Sequence, residues 1–157
     1  WGLLGVGRED GMGERLRVQA EKLQIQENIM FLGSRKDVGS LLAASDIGIL
    51  CSHEEGFSNA ILEGMAAGLP MIVTDVGGNA EAVIHGETGL VVPANAPKAL
   101  AQAIVDLAGS PDRCRVMGQS VRLRVEQSFS MESCVKNYNR LYGDLLSGKR
   151  RIGASPN

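Results

Sequence analysis

Aromatic residues are scarce in this chain: one Trp, two Tyr and three Phe amount to 4% of 157 residues. A core built with so few rings has to be aliphatic, and 20 glycines beside 44% hydrophobic and 22% charged residues fit an α/β protein packed on Ala and Gly. Strong charge is also missing. A net charge of -2 and a pI near 5.7 leave no electrostatic footprint for nucleic acid or an anionic membrane. An anionic ligand therefore has to be held by local groups.

Only three cysteines occur, Cys51, Cys114 and Cys134, far apart and without metal-ligand spacing, with His53 and His85 the only histidines. That excludes a disulfide framework and points to reduced thiols in a cytoplasmic protein. No apolar run approaches the roughly 20 residues that cross a bilayer, and the N-terminus lacks a charged-then-apolar signal pattern. The first residue is Trp1 rather than Met, so the sequence reads as a piece of a longer chain. One layered domain is expected over residues 1–147, followed by a flexible tail, 148–157, whose Lys149, Arg150 and Arg151 are solvated.

The chain alternates short apolar runs with helical periodicity. Leu3 to Gly7 reads as a strand and about Glu14 to Leu23 as a helix, with Leu16, Ala20 and Leu23 on one face; Asn28 to Leu32 is the second strand. A helix from about Val38 to Ala44 leads to a third strand, Ile47 to Leu50. Next comes a helix from about Ser58 to Ala67, stopped by Gly68 and Pro70. Met71 to Thr74 and Leu90 to Val92 are the last strands, with a short helix at Ala80 to Val83 between them. Continuous apolar strands separated by helices imply a doubly wound, Rossmann-like parallel sheet covered on both faces. From residue 97 the pattern is helix only: 97–108, 112–127, and Met131 to Leu146, the last capped by Ser130 and striped with Val135, Tyr138, Leu141 and Leu145. These are expected to be packing helices.

In such a sheet ligands bind at the carboxyl ends of the strands. Each polar cluster follows a strand: Gly5 to Glu9, Ser34 to Asp37, His53 to Asn59 and Asp75 to Asn79 are expected to share one rim. A helix opening at Phe57-Ser58-Asn59 presents unpaired N–H groups and a positive dipole end, a seat for a diphosphate, and Gly56 lets the backbone approach it. Glu55 and Glu63 flank that seat. A carboxylate only accepts hydrogen bonds, and its two oxygens suit vicinal hydroxyls, so Glu63 fits a ribose diol and Glu55 a sugar beyond the phosphates. On composition alone a plainer reading carries more weight: Glu63 faces solvent, and Glu54 and Glu55 merely favour a helix dipole.

The segment Glu55-Gly-Phe-Ser-Asn-Ala-Ile-Leu-Glu63, continuing through Gly64-Met-Ala-Ala-Gly-Leu-Pro70 to Thr74-Asp-Val-Gly-Gly78, resembles the E-x7-E signature of family 4 retaining glycosyltransferases. Leu4-Gly-Val-Gly7, Phe31-Leu-Gly33 with Asp37-Val38, Gly86-Glu-Thr-Gly-Leu-Val-Val-Pro93 and Phe129-Ser130 follow in the family's order, so the resemblance spans about Leu3 to Leu146. It implies the C-terminal, donor-binding half of a two-domain GT-B enzyme. Glu63 then binds the donor ribose, and Glu55, the catalytic candidate, contacts the transferred sugar. Gly56, Phe57, Ser58 and Asn59 meet sugar and diphosphate, and Leu62 and Gly7 complete the donor set. Arg35 and Lys36 lie near the base or are simply solvated loop charges; His53 and His85 are turn residues.

The implied reaction moves a sugar from a nucleoside-diphosphate donor, such as a UDP- or GDP-sugar, to an acceptor hydroxyl with retention, without a cofactor or bound metal. Backbone donors near Ser58 stabilise the departing diphosphate. The chain departs from the family at its start, where a first strand and a loop with a gripping Arg and Lys are expected. In the order 3-2-1-4-5-6 that strand is central. The fragment alone is accordingly expected to be inactive, its acceptor, a glycan or lipid-linked sugar, being held by a missing N-terminal domain, with possible peripheral membrane association of the full-length enzyme at the inner face. Envelope polysaccharide synthesis is the expected setting. A non-catalytic nucleotide-sugar-binding module and a GT-B-like sugar-nucleotide epimerase are the alternatives.

Overall fold

The computed structural model describes residues 1–8 and 11–148. The expected tail and the end of the first polar cluster, Glu9, thus lie outside the described residues, apart from Gly148. The chain forms two compact units, Trp1–Leu41 and the part from Leu42 onward.

The first unit contains β1 (Leu3–Val6), α1 (Met12–Lys22), a 3-10 turn (Gln26–Asn28), β2 (Ile29–Gly33) and the start of α2 (Val38–Ala43). β1 and β2 pair in parallel, Leu3 opposite Ile29 and Gly5 opposite Phe31, with a register shift between Gly5 and Val6. Beyond the strand, Gly7 N–H donates to Gly33 C=O at 3.0 Å. Of the expected α1 stripe only Ala20 is buried; Leu16 and Leu23 stay exposed. The Arg17 guanidinium lies 4.9 Å from the centre of the Phe31 ring, covering part of the apolar surface of β2.

The second unit holds β3 (Gly48–Leu50), α3 (Asn59–Ala66), β4 (Met71–Thr74), α4 (Asn79–Ala82), β5 (Gly89–Val92), α5 (Pro97–Ala108), α6 (Pro111–Arg124) and α7 (Met131–Leu146). The sheet order is β3-β4-β5, all parallel. β4 is central and buried along its whole length, as its unbroken apolar sequence requires. The pleat sends Met71 and Val73 into one core with Ile61, Met65, Val83 and Val121, and Ile72 into the other with Leu90, Val92, Leu107 and Met117. Each fully buried aliphatic side chain contributes about 1.5–3 kcal/mol. Each unit carries its own parallel sheet, β1-β2 in the first and β3-β4-β5 in the second.

Two glycines exist to accommodate Met71: a Cβ on Gly48 would stand 2.4 Å from its sulfur and one on Gly64 2.6 Å. Strand β5 begins one residue early at Gly89, where a Cβ would meet Met71 C=O at 2.0 Å. The helix expected over 112–127 ends sooner: α6 stops at Arg124 and the chain continues as a π-helical turn, Val125–Phe129. Ser130 caps α7 as expected, accepting from Ser133 N–H at 3.1 Å. The packing role expected of α7 is not realised among the described residues. None of its side chains is buried, Val135 and Tyr138 are exposed, and Leu141 and Leu145 are half-buried.

Candidate functional site

The loop from Cys51 to Ser58 leaves the carboxyl end of β3 and enters α3. Helix α3 directs Ile61, Gly64 and Met65 into the core, which leaves Asn59 and Glu63, one turn apart, on its outer face. Ser58 is extended, with φ -86° and ψ 120°, and no side chain caps the helix. The first-turn amides therefore keep their capacity to donate to an outside acceptor. Gly56 is exposed and a Cβ on it would meet nothing within 4 Å, so the loop is open on that side. Glu55 is half-buried and Glu63 exposed; Leu62 is half-buried against the Ile61 and Met65 core.

The β4–α4 loop supports this loop from below. Gly78 N–H donates to Gly56 C=O at 2.7 Å. A Cβ on Gly77, whose φ is +51°, would fall 1.8 Å from Glu55 C=O, and one on Gly78 2.7 Å from the Phe57 ring. Thr74 Oγ1 donates to Ser52 C=O at 2.7 Å, and Ser52 Oγ to Glu55 Oε1 at 2.7 Å. Asn79, fully buried, donates from Nδ2 to Thr74 C=O at 3.0 Å, while its Oδ1 has no partner among the described residues. The Phe57 ring rests 5.6 Å from Phe129 of the π-helical turn. Phe129 in turn lies under the Arg124 guanidinium at 5.4 Å, which also donates to the carbonyls of Glu81 and Ala82 at the end of α4.

Glu55, Gly56, Phe57, Ser58, Asn59, Leu62 and Glu63 thus occur together on one loop and helix, with the loops after β3 and β4 in contact. Gly7 and Arg35 belong to the first unit, where the loops after β1 and β2 meet at the Gly7–Gly33 hydrogen bond. Arg35 is engaged by a bidentate pair with Asp37, Nε to Oδ1 at 2.8 Å and the terminal nitrogen to Oδ2 at 2.6 Å. The pair holds the Asp37 carboxyl below its ordinary range and raises the guanidinium. Lys36 is exposed. His85 serves its turn, with Nδ1 3.1 Å from Val91 N–H. Sequence reasoning did not single out Ser52 or Arg124, and it placed Asn79 in a polar cluster on the rim, whereas the side chain is fully buried against Thr74 C=O. Ser52 and Asn79 carry ordinary turn-residue signals, and Arg124 carries none.

Together these elements define a Rossmann-like parallel α/β protein, the C-terminal-half architecture of the GT-B fold, with its polar loops after the strands. The chain belongs to the group 1 glycosyl transferases: the family model described as "Glycosyl transferases group 1" matches residues 1–110. It is 36% identical over 126 residues to N-acetyl-alpha-D-glucosaminyl L-malate synthase of Bacillus anthracis, covering 80% of this chain and 33% of that one. A solved glycosyltransferase from Rickettsia africae superposes with a TM-score of 0.85 at 28% identity, over 93% of this chain and 40% of that one. Anabaena HepE in complex with UDP-glucose superposes with a TM-score of 0.79 at 26% identity, over 94% of this chain and 41% of the other. The chain spans well under half the length of the curated relatives it matches. Among the described residues no helix is long and apolar enough to cross a membrane.

Proposed function

We propose that this chain is the donor-binding part of a retaining glycosyltransferase that moves a sugar from a nucleoside-diphosphate donor to an acceptor hydroxyl in polysaccharide or glycoconjugate synthesis. The observation that carries the reading is the uncapped start of α3 between Glu55 and Glu63, opened to a ligand by Gly56. The amides of the first turn of α3 receive the diphosphate, Glu63 accepts from the ribose hydroxyls, and Glu55 accepts from hydroxyls of the transferred sugar. As the glycosidic bond to the diphosphate breaks, charge grows on the phosphate oxygens where those amides already point. The UDP-glucose named with HepE supports a donor of this class. No cofactor or metal is assigned to the reaction. The acceptor, a glycan or lipid-linked sugar, falls to a further domain of a longer enzyme that associates peripherally with a membrane.

A helix N-terminus contributes about 0.3–1 kcal/mol to an anion, up to roughly 2 in partly buried geometry, whereas even millimolar affinity needs about 4 kcal/mol. The dipole end alone is too weak to hold a diphosphate, and the guanidinium of Arg35 is engaged by Asp37. Affinity must come largely from hydroxyl contacts to the two glutamates and from basic groups elsewhere. The chain by itself is accordingly proposed to bind donor weakly and to transfer no sugar. Calorimetry or saturation-transfer NMR with UDP-glucose, GDP-mannose and related donors tests this. Glu63→Gln should weaken donor binding by about 1–3 kcal/mol, the scale of a hydrogen bond to a charged acceptor. Unchanged affinity removes Glu63 from the ribose, and measured sugar transfer by the isolated chain refutes its proposed inactivity.

A further inference from the structure

Ser52 stands two residues beyond β3 and is half-buried. Its two polar groups bond in different directions. The C=O accepts from Thr74 Oγ1 at the buried end of β4, and the hydroxyl donates to Glu55 Oε1, both at 2.7 Å. Thr74 C=O accepts in turn from Asn79 Nδ2 at 3.0 Å, and Asn79 is wholly buried. A line of hydrogen bonds therefore runs from the fixed central strand, through Ser52, to one oxygen of one carboxylate. The backbone of Glu55 is held separately. Gly78 N–H reaches Gly56 C=O at 2.7 Å, and Gly77 sits so near Glu55 C=O that a Cβ there would be 1.8 Å from the oxygen.

A glutamate side chain in a solvated loop samples several rotamers, and a ligand that needs one of them has to freeze the others on binding. Here the main chain is pinned from the β4 side and Oε1 is tied to Ser52, while Oε2 is left to accept from a hydroxyl. We infer that Ser52 is a positioning residue: it presets the Glu55 carboxylate for the sugar of the donor, so that the sugar adds affinity beyond the bare diphosphate. The inference rests on the reading of Glu55 as the residue that meets the transferred sugar. Neither the hydroxyl nor the carboxylate belongs to the packed core, so removing the Ser52 hydroxyl leaves the fold in place.

The test uses the full chain with UDP, UDP-glucose, GDP and GDP-mannose as probes, comparing wild type with Ser52→Ala and Ser52→Thr. Ser52→Ala should weaken the sugar nucleotide that binds by about five- to tenfold, as expected for a partly exposed hydrogen bond to a charged group. Binding of the matching bare nucleoside diphosphate should be unchanged, and Ser52→Thr, which keeps the hydroxyl, should restore the difference. An equal loss for both ligands marks a merely structural role and overturns the inference, as does no loss at all. Scalar couplings at Glu55 in the ligand-free chain supply a second readout: one rotamer in wild type and Ser52→Thr, averaging in Ser52→Ala. Averaging already in the wild type overturns the positioning whatever the ligand. Failure of all four probes to bind the wild type sinks the donor reading instead, and the positioning of Glu55 then stands or falls on the couplings.

Discussion

Replacing Gly77 by Ala should be far more damaging than its position in an exposed turn suggests. Its φ of +51° is left-handed, a conformation that disfavours a Cβ by roughly 1–2 kcal/mol. The added methyl would also stand 1.8 Å from Glu55 C=O and 2.9 Å from Gly56 C=O, and both obstacles are backbone, so neither can swing aside. Relief requires the two loops to part, which breaks the Gly78–Gly56 hydrogen bond and forfeits about 1 kcal/mol more. The total is about 2–3 kcal/mol, or roughly 4–12 °C in Tm for a chain of this size. Gly86 supplies the control. Its φ is +83°, yet a Cβ there meets nothing within 4 Å, so Gly86→Ala should lose only the conformational part, about 1–2 kcal/mol. Urea unfolding of the two variants, with amide exchange at Gly78, measures the difference. Equal losses, or Gly77→Ala with the Gly78 amide still protected, would refute the claim that the β4–α4 turn braces the Glu55 loop.

Three further outcomes are expected. Phe129→Ala removes the ring wedged between Phe57 and Arg124 and should lower stability by about 1–3 kcal/mol, below the figure for a fully buried Phe because the site is half-buried; altered Phe57 ring shifts by NMR should accompany it. Ser130→Ala deletes the cap of α7 and should lower stability by about 1 kcal/mol, with faster exchange confined to the first turn of α7. The Arg35–Asp37 pair should be insensitive to pH above 3.8, the ordinary carboxyl value, because the Asp37 pKa is lowered; its contribution is lost only as pH falls through that lowered value. NMR of the Arg35 Nε proton follows this directly, and release at pH 5 would contradict the pairing.

Much of the fold was legible because the strands carry unbroken apolar runs and the helices carry their own punctuation. Met71–Thr74, Pro97–Ala108 and Met131–Leu146 fall where periodicity and breakers put them. The loop and helix from Glu55 to Glu63 were legible as a unit for the same reason. The supports of that loop were not. The Phe57–Phe129 contact joins residues far apart in sequence, and a π-helical turn at 125–129 leaves no mark distinct from an ordinary helix end. Arg35 read as an available cation, whereas its fork matches the carboxylate two residues on. The apolar stripe of α7 predicted burial, but amphipathicity only states which face could be covered, and none of its residues is buried here.

The thioether of Met71 has a bearing on the proposed donor site that its place in the core conceals. It occupies hollows left by Gly48 on β3 and by Gly64 on α3, the residue next to Glu63. The side chain at 71 therefore packs between β3 and α3, beneath the helix that carries Glu63. A β-carbon at either glycine meets the sulfur and terminal methyl of Met71, the flexible end of that side chain, so the change is met by a new rotamer at 71. On the proposed donor reading, the seat of Glu63 thus depends on packing beneath α3 as well as on the outer face of the helix.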